Sequence, residues 1–349
     1  MKALTVRPTQ ADSAAVVDID DAKAAAGEVL CATRLVGICG TDIEIIAGEY
    51  GAAPDGHELL VLGHESLGVV REAQAGSGFG AGDLVVPMVR WPDPQPCEAC
   101  AAGEWDMCRN GEFTEHGISG RDGFARELYA VPPHRLVPVP AALGERGVLV
   151  EPTSVVAKAW EQMERIAKRA VWTPRTVLIT GAGPIGLLAA LIGVQHGYDV
   201  HVLDRVADGP KPQLVGDLGA TYHSTSVDEL GFSPDLVIEC TGVAAVVVEV
   251  LSRSGRDGIT CLTGVSSTGK AQQVDIGALN RSIVLENDVV FGSVNANRRH
   301  YELAVEALGK GDPAWLDRLI SRRVPLADFQ AALRRQDDDV KVVLEVAEA

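Results

Sequence analysis

No stretch of this chain is long and apolar enough to span a bilayer, and the opening MKALTVRPTQ has no apolar core of signal-peptide length. A membrane-embedded or exported protein is therefore not expected. Basic charge is scarce: 31 Lys and Arg stand against 48 Asp and Glu, a formal net charge of −17 with a pI near 4.9. Such a surface repels nucleic acid and anionic lipid, so neither is an expected partner, and highly anionic substrates are disfavoured. The seven cysteines are an odd number in a chain of 349 residues. They read as reduced thiols or metal ligands of a cytoplasmic protein, not as a disulfide framework. There is no internal repeat, and the one charge run, Asp337–Asp339, reads as a solvated turn.

What is present is an ordinary globular composition, 46% hydrophobic and 23% charged, at a length suited to two domains. The most informative stretch runs from Arg175 to Arg205. Its apolar run from Val177 to Thr180 predicts a buried strand, and Gly181-Ala-Gly183-Pro184-Ile185-Gly186 follows at once. Leu187 to Gln195 predicts a helix packed on a sheet, and Val200 to Leu203 a second strand ending at Asp204. Gly181 permits the tight turn, Gly183 lets backbone approach a pyrophosphate, and Gly186 lets helix and strand pack closely. The diphosphate would sit on the free N–H groups at the positive end of the helix. Asp204 is placed to accept a ribose 2′-hydroxyl. Strand, glycines, helix, strand and acid occur in the order a dinucleotide-binding unit requires.

Taken in order, residues 1 to about 90 are β-rich, with short apolar runs at Val29–Val36, Leu59–Leu62, Gly68–Val70 and Leu84–Val86, and helical periodicity is nearly absent. Trp91 to Gly120 reads as a long excursion carrying three cysteines. Glu151 to Arg169 predicts a helix with Pro152 near its start. Beyond the dinucleotide unit, strands at Asp235–Cys240, Gly258–Leu262 and Val289–Val294 alternate with helices such as Ala244–Leu251, which predicts a parallel sheet covered on both faces. Amphipathic helices at His300–Leu308 and Leu326–Arg335 and a closing strand at Lys341–Val346 complete the chain. Cys31, Cys240 and Cys261 lie in apolar strands and read as core.

Cys39 sits between two glycines in Gly37-Ile38-Cys39-Gly40-Thr41-Asp42, hence on a turn, and His64 and Glu65 follow in Leu62-Gly63-His64-Glu65. A thiolate, an imidazole and a carboxylate suit zinc and leave a coordination position open. A lone Cys is equally a small core residue, and a lone His equally a hydrogen-bonding one.

GICGTD, then GHE, then a cysteine lobe, then GAGPIG resembles the zinc-dependent medium-chain alcohol dehydrogenase family, over essentially the whole chain. VLGHE, VVPMVR, DMCRNGEFTEHGI, LVEPTSVVAKA and GSVNANRRHYELAV are most similar to its glucose (aldose) 1-dehydrogenase branch. Sorbitol-type polyol and threonine dehydrogenases share the first two motifs, and a nucleotide-binding scaffold without chemistry is the non-enzymatic alternative.

The resemblance implies an α/β fold: a GroES-like β-rich catalytic domain, residues 1–155 and 296–349, plus a Rossmann doubly wound parallel-sheet domain, residues 156–295. It implies catalytic zinc on Cys39, His64 and Glu65, with Glu151 approaching the metal directly or through its water, and a proton relay beginning at Thr41. Sugar hydroxyls would be met by Arg90, Glu115, Glu151 and Asn295. The family's second, structural zinc uses four cysteines; here Pro94 stands in the first position, leaving Cys97, Cys100 and Cys108, with Asp93 as the candidate fourth ligand and a metal-free lobe of three thiols as the alternative. Coenzyme contacts fall on Gly181, Gly183, Pro184, Ile185, Gly186, Asp204, Arg205, Thr241, Thr263, Val265 and Asn295. Arg205 and Lys211 offset the repulsion of Asp204 for a 2′-phosphate, so NAD is the preferred coenzyme and NADP a second one. The implied reaction takes hydride from the C1 hydroxyl of glucose or a related neutral sugar and gives a lactone, in a homo-oligomer, dimer or tetramer.

Overall fold

In the computed structural model, which describes residues 1–266 and 271–346, the chain divides into two compact units, Met1–Ser154 with Ala296–Ala349, and Val155–Asn295.

The second unit is a six-stranded parallel sheet in the order Thr221–His223, Asp199–Leu203, Thr176–Thr180, Leu236–Glu239, Ile259–Leu262, Val289–Gly292. Numbered within the unit this is 3-2-1-4-5-6, so the order reverses between the strands that end at Thr180 and Glu239. Leu178, Leu203, Val237 and Val250 form one of its core clusters. Full burial of each such side chain stabilises by about 1.5–3 kcal/mol. The helix Pro184–Gln195 is buried continuously from Gly186 to Gly193, which explains its apolar surface all round. Proline at its first position needs no N–H partner.

Two elements of this sheet region escape periodicity. Thr221–His223 is only three residues long, and the helix Ile276–Glu286 has no buried residue. Cys240 lies one residue beyond its strand and is half-buried, whereas Cys31 and Cys261 are core as expected.

The first unit is built on the nine-residue strand Val29–Gly37, central in a sheet ordered Leu136–Val139, Leu84–Pro87, Glu65–Glu72, Val29–Gly37, Lys341–Glu345, Ile320–Pro325. Residues from both ends of the chain share one core: Leu4, Val6, Val36, Leu60 and Leu62 pack with Phe329, Val342 and Leu344. Gly37 is directly opposite Glu65 on one side and Val343 on the other.

Three expectations are corrected here. Gly40–Ile46 is a helix in a region without helical periodicity, because seven residues are too few to show a repeat and a local cap starts it. Trp91 to Gly120 is not a loop excursion: it holds a short helix, Glu98–Ala101, a 3-10 turn, Trp105–Met107, and strands Arg90–Trp91 and Thr114–His116. Cation–π contacts order it, with Arg121 3.8 Å from the Trp91 ring and Arg135 4.7 Å from the Trp105 ring. The expected helix Leu326–Arg335 is a 3-10 turn, Leu326–Asp328, followed by a one-turn helix, Phe329–Leu333.

A methyl at Gly186 would lie 1.7 Å from the Gly181 carbonyl oxygen, whereas one at Gly183 would meet nothing within 4 Å. Gly186→Ala should therefore lose about 3 kcal/mol of stability and Gly183→Ala should unfold like the parent. Urea unfolding checks this, and equal losses would contradict the packing described.

Candidate functional site

Cys39 ends the strand-to-helix turn and caps the helix Gly40–Ile46. Its own N–H donates to the Asp42 carboxylate at 3.0 Å. His64 immediately precedes, and Glu65 opens, the neighbouring strand, Glu65–Glu72. Ladder pairing of that strand with Val29–Gly37 carries both to the Cys39 turn. Cys39 Sγ stands 3.0 Å from His64 Nε2, and one ligand atom from each of Cys39, His64 and Glu65 lies within 4.8 Å of the others.

Burial works against a charged His64 ring, but the charges of Cys39 and Asp42 outweigh it and hold the imidazole well above its ordinary pKa. A cation is thus favoured where thiolate, imidazole and carboxylate converge, which is the chemistry of a zinc ligand set. The residues fit the metal that the sequence implies. Asp42 Oδ1 is 3.4 Å from His64 Nδ1, an ion-pair separation that favours a proton on Nδ1 and leaves Nε2 facing Cys39. Glu65 is 3% exposed and its Oε2 meets Lys341 Nζ at 2.5 Å. Any side chain at position 37 would collide with it, since a Gly37 Cβ would lie 2.1 Å from Glu65 Oε2.

Asp42 and Lys341 were not singled out as site residues in the sequence. Asp42 reads as a turn residue, and the only signal for Lys341 is a lysine directly before the apolar run Val342–Leu344. Tyr301 is a third such residue: fully buried, its hydroxyl accepts the Val89 N–H at 3.3 Å, and burial and the Glu151 and Glu115 charges raise its pKa.

Glu151 opens the helix Val150–Ala167 and stands beside the three-ligand cluster rather than within it. Burial, then the Glu65 charge, pushes its carboxyl up to about 8. Thr41 is half-buried in the first turn of the helix after Cys39. Arg90 and Glu115 face each other across antiparallel strands, joined at 3.0 Å. At 7% and 5% exposure they are neither a surface cation nor a solvated loop carboxylate. Arg90 also lies 3.7 Å from the Phe113 ring centroid.

The lobe brings the second set together. Cys108 Sγ is 3.2 Å and Cys100 Sγ 3.6 Å from Asp93 carboxylate oxygens, and Asp93, Cys97, Cys100 and Cys108 all present ligand atoms within 4.8 Å of one another. N–H groups of Arg109 and Cys100 pull the Cys97 thiol down to about 7, favouring a thiolate.

In the second unit, Gly181 has φ +90° and Gly183 caps the helix without a side-chain hydrogen bond. Open space in front of Gly183, beside the unpaired N–H groups of the first turn, forms a cradle that a Cβ would fill. Asp204 accepts from Ala182 N–H at 2.7 Å and Val206 N–H at 3.1 Å, and Lys211 Nζ stands 3.5 Å away. Arg205 is exposed. Thr241 and Thr263 cluster around Glu239, and Val265 is 76% exposed. Asn295, with φ +61°, is the last residue of this unit.

Residues 25–141 match the alcohol dehydrogenase GroES-like domain, and residues 144–346 match the glucose dehydrogenase C-terminus. The chain belongs to the glucose dehydrogenase family of medium-chain alcohol dehydrogenases. Family members similar to it include glucose 1-dehydrogenases of Methanocella arvoryzae, 38% identical over 99% of both chains, and Caldivirga maquilingensis, 41% identical over 99% of both. A solved structure of Haloferax mediterranei glucose dehydrogenase in complex with NADP, Zn and gluconolactone matches all of both chains at 33% identity with a TM-score of 0.92. No helix among the described residues is long and apolar enough to cross a membrane.

His116, next to Glu115, donates from Nδ1 to the Asp122 carbonyl at 2.6 Å. Burial pushes its pKa from the ordinary 6.5 down to about 3. Between those values the unfolded chain takes up a proton that the folded one refuses. Stability is therefore full above pH 6.5 and falls by about 1.4 kcal/mol for each unit of acidification below it. His116→Phe should flatten this slope in urea unfolding at pH 7 and pH 5; an unchanged slope would rule His116 out as its source.

Proposed function

We propose that the chain oxidises the C1 hydroxyl of D-glucose or a related neutral aldose, passes hydride to a nicotinamide coenzyme and releases the lactone. The observation that carries this is the convergence of Cys39, His64 and Glu65 in a chain whose full-length relatives are glucose 1-dehydrogenases. Those three side chains would hold the catalytic zinc. Zinc supplies Lewis acidity toward the C1 oxygen, and the coenzyme accepts the hydride.

The protein's own part is positioning. Asp42 beside His64 Nδ1 favours the tautomer that leaves Nε2 free, and Lys341 anchors one Glu65 oxygen. The Thr41 hydroxyl takes the C1 hydroxyl proton and passes it toward solvent. Glu151, beside the cluster, would approach the metal directly or through its water and would also meet the sugar. Arg90, rigid between Glu115 and the Phe113 ring, and Glu115 itself meet the remaining hydroxyls, with Asn295. The pyrophosphate lies on Gly181, Gly183, Pro184, Ile185 and Gly186. Thr241, Thr263 and Val265 line the other coenzyme half. Asp204 favours NAD, and Lys211 beside it, with Arg205 on the surface, admits NADP as well. Asp93, Cys97, Cys100 and Cys108 would hold a second, structural zinc. All seven cysteines are unpaired, which supports a cytoplasmic setting.

Purified protein should contain two zinc ions per chain and oxidise D-glucose, D-galactose or D-xylose with NAD+ and NADP+. Cys39→Ala should lose one zinc and at least about a thousand-fold in turnover. Turnover of sorbitol without any aldose would overturn the sugar assignment.

Among the described residues no strand pairs with the outer side of Val289–Gly292, and Ile276, Val284, Leu285 and Val294, on the segments flanking it, are 58–71% exposed. This apolar edge supports a homo-oligomer, dimer or tetramer, formed across it. Sedimentation should show an oligomer that Leu285→Glu dissociates; a monomeric parent would remove the assignment.

A further inference from the structure

Glu239 ends the fourth strand of the second unit, at the point where the strand order reverses, and is completely buried. Its carboxylate gathers donors from two directions. Oε1 accepts from the Thr180 hydroxyl at the end of the first strand (3.2 Å), from the Thr241 N–H (2.7 Å) and from the Thr241 hydroxyl, while Oε2 accepts from the Gly242 N–H (3.1 Å). Its backbone carbonyl takes the Thr263 and Gly264 N–H groups at 2.9 and 3.0 Å and the Thr263 hydroxyl at 2.8 Å. Close fits surround it: a Cβ at Gly264 would lie 2.8 Å from Glu239 Oε2 and 2.1 Å from the Gly242 nitrogen. One at Gly242, whose φ is +62°, would lie 2.3 Å from the Val265 carbonyl oxygen. The end of the first strand and the turns after the fourth and fifth thus converge on one residue, the first two on its carboxylate and the last on its carbonyl.

Those turns form the crevice in which a doubly wound sheet receives its ligand. The glycine turn and Asp204 take the pyrophosphate and adenosine side, which leaves the turns after the fourth and fifth strands for the nicotinamide side. Their outer residues reach solvent, Val243 at 52% and Val265 at 76% exposure, so their shape is not fixed by core packing. We propose that Glu239 is a positioning residue for the coenzyme, its carboxylate latching these turns into the form that receives the nicotinamide half. The proposal rests on the coenzyme reading given above. A carboxylate serves because every group facing it is a donor; glutamine would set an N–H against another N–H at Thr241 or Gly242.

The test is titration of the full-length protein with NADH and NADPH, followed by fluorescence. Glu239→Gln should weaken both coenzymes about ten-fold, speed amide exchange at residues 241–243, and raise the coenzyme KM while leaving zinc content and the glucose KM at saturating coenzyme unchanged. An unchanged coenzyme Kd would overturn the proposal, even with a lower Tm, since that is what a merely structural carboxylate gives. Thr180→Val removes one donor only and should weaken binding about three-fold. If Glu239→Gln fails to fold, Thr180→Val decides, and unchanged binding there overturns the proposal. A parent protein that binds neither coenzyme refutes the underlying coenzyme reading, whereas parent and Glu239→Gln binding equally refutes Glu239 alone.

Discussion

Everything in the first unit depends on how a buried carboxylate is accommodated at the end of the strand Val29–Gly37. Glu65 lies out of solvent against Lys341, in the space left by the missing side chain of Gly37. An isolated buried carboxylate is costly, and so is an isolated buried ammonium; as a close pair each offsets the desolvation of the other. The pair also joins a residue near the start of the chain to one near its end. The strand carrying Lys341 is in turn a full member of the sheet, next to Val29–Gly37. A segment 276 residues away in sequence therefore holds the carboxylate proposed to bind zinc.

The same logic recurs around the ligand set. Asp42 serves twice: one oxygen accepts the Cys39 N–H and starts the helix, and the other faces His64 Nδ1. The local cap and the imidazole orientation are one device. In the second unit the corresponding arrangement is Glu239, where backbone and hydroxyl donors rather than a lysine balance the buried charge. Both units place a desolvated carboxylate behind the groups proposed to meet a ligand, which is how a site keeps its geometry when the loops in front of it are exposed.

Some elements were legible because their signal is local. The dinucleotide strand–turn–helix was readable since each glycine answers a steric demand within a few residues: Gly186 against the Gly181 carbonyl, and Gly183 with nothing in front of it. The helix Ala244–Leu251 was read to the residue. The helix Gly40–Ile46 was not, because one short turn has no period to detect, and the order within Trp91–Gly120 comes from cation–π and sulfur contacts that composition does not encode. Ile276–Glu286 buries none of its residues among the described ones, so no core face marks it.

By itself, the sequence determined the βαβ nucleotide unit, the alternation that makes a parallel sheet, and the residue types able to bind zinc, because these follow from spacing along the chain. Only the tertiary structure decided that Cys39, His64 and Glu65 meet, that Arg90 and Glu115 are buried against each other, and that Lys341 stands against Glu65 and Asp42 against His64. Those are contacts between strands paired across large sequence separations, and pairing is selected by the burial of whole sheet faces, a property no short motif carries.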